Sequence, residues 1–171
     1  MNTRLIAESG ILTSLSLVIL LIASVSPVNK VFIASASALV LEVFIKRNSI
    51  KHSIFVFFPT AILGLIFLPY KMIAVLYLFL FGGFSLIRNL IVHKNALLKK
   101  LVMVMYFNVV FCMLFLIANQ LFENLFAEIL IGPFWQNMLL FFVLQVVVLL
   151  YDYALDLGAK IIVAKLKDIG V

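Results

Sequence analysis

The sequence predicts an all-α fold: a polytopic membrane bundle of six transmembrane helices with both termini in the cytoplasm. Three observations predict it. Of 171 residues, 66 % are apolar and only 12 % charged. The apolar residues fall into six runs of membrane-spanning length, and the bases between the runs lie almost wholly on one side.

A soluble domain is roughly 45–50 % apolar even with glycine counted. A water-soluble fold of this size leaves too much surface exposed to hide the excess. Lipid must therefore solvate much of the chain. One domain, residues 1–171, is expected at this length. The single Cys112 lies within an apolar run, which rules out an intrachain disulfide and reads as a small core residue.

The six runs cover residues 5–26, 28–45, 53–68, 72–91, 101–122 and 134–155. About 20 residues are needed to cross ~30 Å of hydrocarbon. The second and third runs are short enough to suggest a re-entrant hairpin. That hairpin would carry Lys46, Arg47 and Lys51 to the bilayer centre, at roughly 2.5–3.5 kcal/mol each. Two short spanning helices avoid the cost. The first run is expected to be a retained helix rather than a cleaved signal, because Glu8 interrupts its start and the apolar stretch is long.

Orientation follows from the short connections. Eleven of the thirteen bases fall on one side: Arg4, Lys46, Arg47, Lys51, Arg88, Lys94, Lys99, Lys100, Lys160, Lys165 and Lys167. Only Lys30 and Lys71 fall on the other. The richer side is cytoplasmic by the positive-inside rule, giving a multi-pass protein of the cell membrane. The net charge of +6 is thereby a topology signal rather than a nucleic-acid footprint. Pro27 and Pro69 mark tight outer turns. Residues 157–171 extend the last helix as a short amphipathic cytoplasmic tail along the inner leaflet.

Chemistry is sparse. No motif for a metalloprotease, serine hydrolase or phosphate-binding loop is present, so no enzyme, metal or cofactor is expected. His52 and His93 have no carboxylate within five residues and read as solvated loop residues. Asp152, Asp156 and Lys160 follow one another at i, i+4 and read as an intrahelical ion-pair ladder. Glu8 and Glu42 are expected to pair with Arg4, Lys46 or Arg47. Asn108 and Gln145 lie deeper and should face the bundle interior, as interhelical hydrogen-bonding groups or as a solute lining.

Two groups of candidate functional residues emerge. At the outer ends Asn29, Lys30, Tyr70, Lys71, Asn119, Glu123, Trp135 and Gln136 mix aromatics with donors and acceptors, as small-molecule sites do. Near the cytoplasmic start of the first helix Ala7, Gly10 and Ser14 form a small-residue strip, the kind that lets helices approach closely in lipid.

The small residues within 4–20, and the basic turn 46–52 leading into 55–69, resemble the substrate-binding (S) subunits of energy-coupling-factor transporters. The chain also resembles small membrane proteins of Gram-positive bacteria whose role is uncharacterised. The first resemblance implies six helices, a vitamin or metal ion taken from outside, and docking on a shared transmembrane subunit driven by two ATPases. The chain departs from the family in lacking alanines four apart in helix one: Ala7 is followed by Ile11, and only Gly10 and Ser14 are both small at that spacing. Its first outer loop is also short. The expected function is a solute-binding membrane subunit of an energy-coupled uptake transporter. The alternative is a non-transporting scaffold or assembly protein acting through its cytoplasmic face.

Overall fold

The computed structural model describes residues 3–48, 50–91, 96–121 and 134–168. Among them the fold is all-α, with six helices and no strand. The helices are α1 Thr3–Val25, α2 Lys30–Arg47, α3 Ile50–Phe67, α4 Lys71–Leu90, α5 Ala96–Leu121 and α6 Phe134–Asp168. Three stretches among the described residues are long and apolar enough to cross a membrane: Leu5–Val25, Ile50–Phe67 and Lys71–Leu90. In α2, Lys30, Glu42, Lys46 and Arg47 interrupt the apolar surface.

The helix ends follow from local chemistry. Helix α1 stops at Val25 because the residue before Pro27 is pushed out of helical geometry. Asn29 then takes a left-handed conformation, φ 58°, a region asparagine tolerates better than most side chains, and α2 starts at the next residue. Likewise α3 stops at Phe67, two residues before Pro69. Pro59 lies inside α3 and cannot donate to the Phe55 carbonyl.

The chain forms two units, one of residues 1–93 with 154–171 and one of residues 94–153. In the first, α1 packs on α2 and α3, and α2 packs also on α4. Its core holds Leu20 and Ala23, Ala38, Leu41 and Phe44, Val56 and Phe57, and Ile73, Tyr77 and Phe84. Neighbouring helices alternate in direction. The Glu8–Arg47 and Glu42–Arg88 ion pairs bring the start of α1 to the ends of α2 and α4. At the opposite end, Lys30 meets Tyr70 beside the start of α4. Small residues let α3 and α4 approach: a Cβ at Gly64 would lie 3.4 Å from that of Ala74.

Helix α4 widens into a π-helical turn over Tyr77–Gly82. The Phe57 ring lies against this turn, where a Cβ on Gly82 would come within 2.7 Å of it. Only glycine fits that approach.

In the second unit α5 carries the buried Met103 and Val110, with Phe107 stacked on Phe111. The Gln145 amide of α6 donates to the Asn108 side-chain oxygen at 2.8 Å. The two deep polar residues thus bond each other across α5 and α6. Asn108 also donates to the Val104 carbonyl. Cys112 is exposed, contrary to its reading as a core residue. It lies on an apolar helix whose outward face sits among exposed residues such as Val109 and Met113.

Candidate functional site

The densest chemistry lies where the ends of α1, α2 and α4 meet. Glu42 is fully buried and Arg88 is 3 % exposed. The Arg88 guanidinium donates to one Glu42 oxygen at 2.6 Å, and the Asn89 amide donates to the other at 2.8 Å. Arg88 reaches Asp156 of α6 with its second terminal nitrogen, 3.2 Å away. Lys46 donates to the Asp156 carboxylate at 2.9 Å and to its backbone carbonyl at 3.1 Å. Lys160 closes the group at 2.7 Å. Beside it Arg47 pairs with Glu8 at 3.2 Å.

Three cations thus face two carboxylates, and α2, α4 and α6 are joined through Asp156. Burial alone would raise the Asp156 carboxyl. The ammonium groups of Lys160 and Lys46, with the Arg88 guanidinium, outweigh it and hold the group well below the usual carboxylate range.

This cluster corrects the sequence reading in two places. Arg88 is a buried helical residue, not a loop base. Glu42 pairs with Arg88 and Asn89, not with Lys46 or Arg47. A buried carboxylate needs donors from inside the bundle, and a base one turn along its own helix lies toward the solvent edge. The Asp156–Lys160 rung of the expected ladder is present, but Asp156 serves three helices rather than one.

The outer candidates are less convergent. Asn29, Tyr70 and Lys71 are exposed. The Lys30 ammonium stands 4.6 Å from the centre of the Tyr70 ring, a cation–π contact. Lys71 donates to the Ile66 carbonyl at 2.7 Å. Asn119, Trp135 and Gln136 belong to α5 and α6, in the other unit. Their side chains, and Glu123 altogether, lie outside what the structure describes.

The N-terminal strip is open. Ala7, Gly10 and Ser14 are exposed on one face of α1, and no described atom lies within 4 Å of where a Gly10 Cβ would stand. Ser14 bonds only inward, to the Gly10 carbonyl at 3.0 Å. The neighbouring face of α1 is buried against α2 and α3 and is lined by Ser9, Thr13, Ser16 and Ser24. Among the described residues the hydroxyls of Thr13, Ser16 and Ser24 have no hydrogen-bond partner. The sequence reading missed this hydroxyl line. Its signal was there: Ser9, Thr13, Ser16 and Ser24 recur near helical spacing.

Compared with protein-family models, curated proteins and solved structures, the chain matches none.

Proposed function

We propose that this chain crosses the cell membrane six times with both termini inside, and serves as the solute-binding subunit of an energised uptake transporter. The carrying observation is the two-sided character of α1. One face is lined by hydroxyls, three of them buried and without a partner among the described residues. The other presents the exposed Ala7, Gly10 and Ser14, and no described atom lies within 4 Å of where a Gly10 Cβ would stand.

In lipid, helices associate through close packing and interhelical hydrogen bonds, because lipid tails are as apolar as the helices themselves. A small-residue face left exposed among the described residues is therefore suited to a helix of another subunit. Buried hydroxyls without partners are costly in the same medium and suit a path for a polar solute or its water. The solute meets Asn29, Lys30, Tyr70 and Lys71 first, at the end of the first unit where the bases are few. Alternating helix directions in that unit, with Glu8, Arg47 and Arg88 at one end, support the orientation drawn from the charge bias. The energy comes from a coupling subunit with ATPases, which α1 docks against.

The test is a pair of substitutions on the two faces of one helix. Gly10→Leu should abolish recovery of an ATPase-linked membrane partner from native membranes in mild detergent, with the thermal midpoint unchanged. Ser16→Leu, which overfills a fully buried position, should lower stability by about 1–3 kcal/mol. If Gly10→Leu destabilises the protein as Ser16→Leu does, the strip packs internally. If the unaltered protein recovers partners but no ATPase, a scaffold role replaces the transport reading.

A further inference from the structure

We infer that the C-terminal stretch of α6 beyond Asp156 is an interfacial helix that binds the anionic phospholipid headgroups of the inner leaflet. Helix α6 runs unbroken to Asp168. Asp156 is fixed to Lys46 and Arg88, in the last turns of α2 and α4. One side of it is docked: Leu155 and Ala159 are buried, and Val163 and Leu166 half-buried.

The side facing away from the protein carries Leu157, Ile161 and Ala164 at i, i+4 and i+7, all exposed. On a helix these three form one stripe. Lys160 and Lys165 flank it on opposite sides, both exposed. Water would leave the apolar stripe bare, and a hydrocarbon core would strand the lysines. The headgroup boundary suits both, with the stripe in the acyl region and the Lys165 ammonium turned up to phosphate, while the Lys160 ammonium stays on Asp156. The attraction is electrostatic as well as hydrophobic, so an anionic surface is the occupant the charges select.

The inference rests on the orientation proposed above but not on the transport role. Its test uses the full chain in nanodiscs, with a polarity-sensitive fluorophore on Ile161→Cys in a Cys112→Ser background. In phosphatidylcholine containing phosphatidylglycerol the label should report a lipid environment. In phosphatidylcholine alone it should shift toward water. Lys165→Gln and Lys167→Gln should each cut the lipid-associated fraction about fivefold, and high salt should do the same by screening. As a second readout, the doubly substituted protein should retain less phosphatidylglycerol on purification. Equal spectra in both lipids, or no response to loss of the lysines, would overturn the proposal. The orientation is checked separately: a cysteine at Asn48 should resist an impermeant thiol reagent in intact cells, so a topology failure is told apart from a failure of lipid binding.

Discussion

At the end of the first unit where α2 and α4 finish, polar groups are pulled inside and bonded across helices. Glu42, Arg88 and Asn89 share one buried arrangement, and Asp156 brings in a further helix. At the opposite end Lys30, Tyr70 and Lys71 stay at the surface, and their bonds reach one ring and one nearby carbonyl. The contrast separates positions that hold the fold from positions free to meet a ligand. A buried charge pair ties helices in one register, because breaking it strands a charge in a medium that cannot solvate it. Exposed groups with one contact each can exchange that contact for a solute.

The sharpest way to break the comparison is Arg88→Leu. It leaves Glu42 buried without its cation and should cost about 3–5 kcal/mol in detergent unfolding. The double change Glu42→Leu with Arg88→Leu should cost less than Arg88→Leu alone, since no charge is stranded. A single-substitution cost under about 1 kcal/mol would mean that this end is no better held than the opposite one.

Asp156 gives a smaller, pH-resolved effect. Its carboxyl is depressed in the folded state below its ordinary value of 3.8. The stability it contributes is therefore present above that value and is lost as pH falls through the folded one. The thermal midpoint should drop on acidification below pH 3.8, and Asp156→Asn should flatten that part of the profile. The side chain is one third exposed, so screening by salt should also weaken the dependence.

The smallest effect belongs to the Lys30–Tyr70 end. Lys30→Ala removes an exposed cation–π contact and should shift stability by about 0.5–1 kcal/mol at most. A larger loss would show that the residues at this end also hold the helices in place.

The helices were legible because apolar length and proline punctuation act locally: Pro27 and Pro69 stop α1 and α3 where the runs end. Partner choice was not. Arg88 lies at the end of an apolar run and reads as a loop base, since position along a helix says nothing about which neighbour receives a side chain. Thr13 shows the same limit from another side. In sequence it sits with Gly10 and Ser14 among small residues, yet it faces the bundle while they face outward. Thr13 lies only about 60° around the helix from Gly10, but on the side shared with the buried Ser9 and Ser16. Pro59 did not hide α3: the apolar run 53–68 continues through it, as the helix does.

The wide turn at Tyr77–Gly82 has a consequence for insertions and deletions. An ordinary α-helix that loses one residue swings everything beyond the gap by about 100°. In α4 that swing would carry Arg88 and Asn89 away from Glu42. A π-turn already holds one residue more than an α-turn needs. Removing a residue such as Leu80 lets the turn relax to α geometry while Arg88 keeps its facing. Helix α4 therefore carries slack in its register, and the chain can shorten there without losing the alignment of its buried charges.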